Sequence, residues 1–294
     1  MTKVSPQAEV VRVKRLGWLI AACAVTFIAI YVILIRTSAG QQLVDWALIG
    51  NTELTHTEVR RASLTLHHIT GPTVVVFALL LVAIGLLRRQ PRIAFFGAGG
   101  FLIAVAAAEA LKRLLPRPLL DSRWEQDLID KTMNTFPSGH VTIVTAFVLV
   151  LTLVSAPRAR ALVAAVGSVL VVLVGIGVVI AGWHRPEDSM GGALLAAVTI
   201  CATSILLVQG RAIESPTKHT LTATFGAGVV SLAAVALVLF MRRDGAVLPS
   251  GVGAYAFPVS LAAVAVVCLV VIQVVSRSLC VPARTRAGPH EGAS

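Results

Sequence analysis

The stretch Pro137-Ser138-Gly139-His140 opens the apolar run VTIVTAFVLVLTLV. A helix beginning here would offer unpaired backbone N–H groups and the positive end of its dipole, which together suit an anion. Gly139 would let the backbone approach that anion, and His140 could exchange a proton near neutral pH. Ser138 could simply cap the helix, or its hydroxyl could hold a ligand oxygen alongside the Gly139 and His140 amides. A second group lies in LKRLLPRP, where Arg117 offers a planar fork to a phosphoryl group and Lys112 a point charge beside it. Pro116 and Pro118 would stop the helix and fix the direction of Arg117. The plainer reading makes both cations anchors at a bilayer edge. The third group is GWHRPEDSMGG, with His184 and Asp188 four residues apart. Pro186 suits a first helical turn, so Asp188 can lie beneath His184. A carboxylate on one imidazole nitrogen sets the tautomer and leaves the other free as a nucleophile. The pair could also be a structural hydrogen bond. Two histidines and one carboxylate are too few ligands to predict a metal site.

The elements that must position these groups are membrane helices. The 294-residue chain is 56% hydrophobic and 13% charged, with a mean hydropathy of +0.86, whereas soluble domains carry about 25% charged residues. Eight apolar runs are expected near 17–36, 71–87, 93–111, 140–155, 161–182, 189–209, 220–241 and 256–276. Most approach the roughly 20 residues that cross a bilayer; the fourth is short, as suits a helix entering a cavity. The expected organisation is a basic leader at 1–16, a six-helix core at 17–209 with its motifs at 112–188, two further spans at 210–276, and a disordered tail at 277–294. The fold class is an all-α polytopic bundle.

The net charge of +11 is no nucleic-acid footprint, because the basic residues are scattered among short loops. With the N-terminus inside, 14 of the 25 Lys and Arg face the cytoplasm, and the short inner loops are the denser ones. The predicted orientation puts both termini in the cytoplasm. The third span then ends outside at Lys112, the fourth begins outside at His140 and the fifth ends outside at His184. All three groups are thus expected at one end of neighbouring helices, as one site.

A lysine followed by Arg-Pro, then Pro-Ser-Gly-His, then His-x-x-x-Asp on consecutive membrane helices resembles the type 2 phosphatidic acid phosphatase superfamily, which also includes the vanadium haloperoxidases. The likeness covers residues 93–209. It implies a cofactor-free, metal-independent hydrolysis of a phosphomonoester or diphosphate through a phosphohistidine. His184 would attack phosphorus, Asp188 would orient it, and His140 would protonate the leaving group. Lys112, Arg117, Ser138 and Gly139 would bind the phosphoryl oxygens. The expected partner is a lipid phosphate in the bilayer of the plasma or inner membrane.

Two departures stand out. The family's Arg-Pro usually falls seven residues after the lysine, where this chain has Leu119 and Leu120; Arg117 comes five after Lys112. The family's third motif usually has Ser-Arg where this chain has Gly177 and Val178. Arg185 or Arg113 would have to replace that arginine, and the alternative is a catalytically degenerate member that binds lipid or acts as a scaffold.

Elsewhere, Glu109 reads either as a functional ionisable residue at membrane depth or as a local ion-pair partner that positions Lys112. His56, His67 and His68 read as a solvated or headgroup-level loop. Trp18, Trp46 and Trp183 read as interface residues. The small residues of GAGG and MGGALLAA read as sites of close helix packing. The four cysteines lie in or beside apolar runs with no disulfide or zinc spacing.

Overall fold

The computed structural model describes residues 6–49, 54–118, 120, 134–208 and 253–279. Those residues form an all-helical bundle and contain no strand. Helix α1 (Pro6–Ile30) continues through a π-helical turn at Tyr31–Ile35. It is followed by α2 (Ser38–Ile49), α3 (His56–Leu66), α4 (Gly71–Leu87), α5 (Pro91–Leu114) and α6 (Gly139–Val154). Helices α7 (Arg160–Ile180), α8 (Pro186–Val208) and α9 (Gly253–Leu279) complete the described part. Five helices are long and apolar enough to cross a membrane, and α3 with α4, bent by 49°, makes a sixth if the two count as one broken span. The protein is a multi-pass helical membrane protein. The apolar run at 220–241 lies outside the described residues, and the run at 256–276 is α9.

The structure moves three boundaries, one of them the start of the expected tail, whose residues 277–279 belong to α9. Helix α1 begins at Pro6 and so takes in residues 6–16 of the leader. The stretch between the first two apolar runs, where His56, His67 and His68 read as a loop, is largely helical: α2 occupies Ser38–Ile49, and a reciprocal capping box of Thr55 and Glu58 starts α3.

Helix α6 is the centre of the bundle. Of its 16 residues, 14 are buried, which requires partner helices on all sides in place of lipid. Small residues bring those partners in. A Cβ on Gly97 would lie 2.7 Å from Val150 Cγ1, and one on Gly100 would lie 2.7 Å from Thr203 Oγ1. The GAGG segment therefore lets α5 close on α6 and α8, as its composition predicts. In α8, a Cβ at Gly191 would fall 2.3 Å from Phe136 Cε2, and one at Gly192 would fall 2.6 Å from the Ser138 carbonyl. The loop that carries the Ser-Gly-His motif thus rests on the glycines of α8. Gly191→Ala is expected to overpack this contact and cost about 1–3 kcal/mol. Gly99→Ala, with nothing within 4 Å, is the control. Thermal melting in detergent should fall for the first and hold or rise for the second.

Arginines close the other end of the bundle. Arg88 Nη1 donates to the Val154 carbonyl (2.7 Å), and Arg160 donates to those of Ser155 (3.2 Å) and Leu153 (3.4 Å). Arg12 Nη2 donates to Leu279 O (2.7 Å). Each cation meets the carbonyl end of a helix, where the dipole favours positive charge.

Candidate active site

Local turns place the histidine and aspartate of the third group. Helix α7 ends where Gly182 takes φ 71°, a conformation glycine adopts at little cost. The Trp183 and His184 N–H groups then both donate to the Val178 carbonyl, at 3.1 and 3.2 Å. This turn delivers His184 to the start of α8, where Pro186 fills the first helical position. Asp188 reaches back, and its Oδ2 accepts from the Arg185 N–H at 3.0 Å.

Asp188 is fully buried and gathers four donors. Its Oδ2 also accepts from Thr135 Oγ1 at 2.5 Å and lies 3.4 Å from His184 Nδ1. Its Oδ1 accepts from Arg117 Nη2 at 3.0 Å. A proton on Nδ1, facing this carboxylate, leaves the lone pair of Nε2 free. His140 stands across from it, with the ring centroids 6.0 Å apart.

The Ser-Gly-His loop joins the same network. Ser138 caps α6, its Oγ accepting from the Val141 N–H at 3.5 Å, and its own N–H donates to Asp188 O at 2.8 Å. Its side chain therefore takes the capping role, with the hydroxyl proton left to donate. A Cβ on Gly139 would meet Glu109 Oε1 at 3.0 Å and Lys112 Nζ at 3.1 Å. Glycine here lets the ammonium reach the N-terminus of α6. Lys112 pairs with Glu109 at 2.6 Å, the local ion pair that is one of the two readings of Glu109.

Arg117 follows the end of α5. Tyr31 donates to Pro116 O (2.7 Å) and Gln41 to Pro118 O (2.6 Å). Asn134 Nδ2 donates to Lys112 O and Leu115 O, at 3.1 and 2.7 Å. The guanidinium is buried, and its Nη2 meets Glu187 Oε1 at 2.7 Å as well as Asp188. Burial would lower its pKa; the Asp188 and Glu187 charges outweigh that and hold it above its usual value. Arg185 is buried too, its Nε 3.8 Å from Asp45 Oδ1 and its Nη1 without a hydrogen-bond partner.

All eight expected site residues therefore gather at one end of α5, α6, α7 and α8. Sequence reasoning missed Glu187, Thr135, Asn134, Gln41 and Asp45. Thr135 and Asn134 lie in the segment already singled out, but no spacing rule marks them. His67 also differs from expectation: although exposed, its ring packs 4.8 Å from Trp183, which lies 5.4 Å from His140. Trp183 thus belongs to the rim of this site. Among the described residues no group of three or more His, Cys, Asp or Glu is placed to hold a metal ion.

Residues 93–212, which include all of these groups except Asp45, Gln41, Tyr31 and His67, match the family model of the PAP2 superfamily. Over that segment the chain is similar to the PAP2 superfamily. The match spans α5 through α8, the helices that deliver every expected site residue. No curated protein and no solved structure matches the chain. The PAP2 superfamily consists broadly of phosphatases and related hydrolases, and the matching segment sits within a multi-pass membrane bundle.

Proposed function

We propose that this protein is a membrane lipid-phosphate phosphatase that hydrolyses a phosphomonoester or diphosphate lipid through a phosphohistidine. Phosphatidate, phosphatidylglycerophosphate and polyprenyl diphosphate make up the substrate class. The observation that carries this reading is the Asp188 carboxylate, buried and 3.4 Å from His184 Nδ1, with His140 across the site.

In the first step the lone pair of His184 Nε2 attacks phosphorus. The N–P bond forms as the P–O bond to the leaving group breaks, and His140 gives that oxygen its proton. Asp188 stabilises the charge that develops on the His184 ring. In the second step His140 takes a proton from water, the resulting oxygen attacks phosphorus, and the N–P bond breaks to release phosphate. Lys112, Arg117, Arg185 and the amides of Gly139 and His140 oppose the charge on the phosphoryl oxygens. These groups supply the charge stabilisation without a divalent cation.

The orientation belongs to the same proposal. Arg12, Arg88 and Arg160 gather at the end remote from the site, which supports a cytoplasmic placement of that end. The site then opens on the extracytoplasmic face of the plasma or inner membrane, at headgroup level.

Purified protein in detergent with EDTA is expected to release phosphate from at least one of these lipids. His184→Ala should lower that release by on the order of 10⁴–10⁶ in rate. Release that depends on added metal, or survives in His184→Ala, would overturn the mechanism. Lipid binding without release by folded wild-type protein would favour a non-catalytic member, the reading that Val178 in place of an arginine supports.

A further inference from the structure

Arg117 reaches the site by a shorter route than the family pattern provides, and Glu187 meets it there. The two side chains are 5% and 1% exposed. A pair present only for cohesion would gain most by meeting side by side, two N–H groups on two oxygens. Glu187 instead grips Nη2 with Oε1 alone, and Glu187 Oε2, Arg117 Nε and Arg117 Nη1 are all buried without a hydrogen-bond partner. Each such orphan costs about 1–3 kcal/mol, so open donors on a buried guanidinium call for a ligand that satisfies them. Asp188 lies between this guanidinium and His184, its Oδ1 on Arg117 Nη2 and its Oδ2 facing His184 Nδ1. The guanidinium that carries the open donors is therefore one carboxylate away from the proposed nucleophile.

We propose that Glu187 is a positioning residue: by holding Nη2 it aims Arg117 so that Nε and Nη1 stay open to the phosphoryl oxygens of the substrate. The inference rests on the phosphatase reading. The backbone of Arg117 is already pinned through Pro116 and Pro118; Glu187 and Asp188 then fix its side chain. Glu187 thereby corrects for the short spacing between Lys112 and Arg117. Its own negative charge opposes an anion, so charge and geometry predict opposite signs for its removal. That difference makes the inference testable.

The probe is orthovanadate, a phosphate mimic, measured as the inhibition constant and as a shift in melting temperature on full-length protein in detergent. Glu187→Ala is expected to weaken vanadate binding about tenfold, the scale of one hydrogen bond to a charged group. Glu187→Gln keeps an acceptor of the same shape, so it should fold and weaken binding about threefold. In an Arg117→Ala background neither change should weaken it further, because nothing remains to be aimed. Unchanged or tighter binding in the Glu187 single variants would overturn the proposal, as would an equal loss with and without Arg117. Where the Arg117→Ala background fails to fold, the sign of the Glu187→Gln effect decides alone. Wild-type protein that neither binds vanadate nor releases phosphate would instead overturn the phosphatase reading, and the positioning role with it.

Discussion

Asp188→Ala is expected to lose activity by on the order of 10⁴ in kcat, the scale seen when the carboxylate that orients a catalytic histidine is removed. It should also lose about 3–5 kcal/mol of stability, because removing one member of a buried ion pair strands the other. Both losses follow from one observation: the carboxylate holds His184, Thr135, Arg117 and the Arg185 amide together. Without it, Arg117 keeps only Glu187, the first turn of α8 loses its cap and the His184 tautomer is no longer set. Asp188→Asn separates the two effects. The amide keeps the shape and can accept at one atom, so it should destabilise less. Its NH₂ must still face either Arg117 or the His184 side, where donors already point, so activity should fall nearly as far. Thermal melting and phosphate release on the same preparations check this. A variant that melts early yet keeps wild-type turnover in its folded fraction would contradict the assigned role.

The motifs were legible because each is a local pattern with a physical meaning. Pro-Ser-Gly-His marks a helix start, Pro186 marks another, and the i,i+4 spacing puts Asp188 under His184. Apolar run lengths placed the spans, and the glycines of GAGG and MGG announced close packing. Contacts made across the fold were less legible. Glu187 adjoins Asp188 and looks like an ordinary first-turn carboxylate; only the return of the 115–118 segment puts Arg117 against it. Tyr31 and Gln41 lie about 80 residues from the carbonyls they hold, and no periodicity connects them. Helix α3 could have been found, since Thr55-x-x-Glu58 is a capping box written in the sequence. Its overall polarity concealed it, because hydropathy was the guide to helices elsewhere in the chain. The place of the missing arginine also gains a physical account. Val178 is fully buried in the apolar core, and a Cβ on its neighbour Gly177 would lie 3.7 Å from Leu66 of α3. Helix α3 covers this stretch of α7 with apolar side chains.

Under the proposed function, Arg185, buried and adjacent to His184, is the cation assigned to take over. Arg185→Ala is expected to lower kcat/KM by about a hundredfold, the cost of removing one donor that stabilises a transition-state charge. Its effect on stability should be small or even favourable. The side chain is 7% exposed, its Nε is 3.8 Å from Asp45 Oδ1, and its Nη1 is unsatisfied. A buried guanidinium in so long an ion pair gains little cohesion for its desolvation. The backbone N–H that Asp188 accepts is retained by alanine, so the cap of α8 survives. A purely structural arginine predicts the reverse: lower melting temperature, with turnover preserved in whatever remains folded. Arg185→Lys sharpens the contrast, since it keeps the charge but loses the planar array of donors. It should leave stability close to that of wild type and recover activity only in part. Equal kcat/KM in wild type and Arg185→Ala would exclude Arg185 as the substitute and leave Lys112 and Arg117 as the cations on the phosphoryl group.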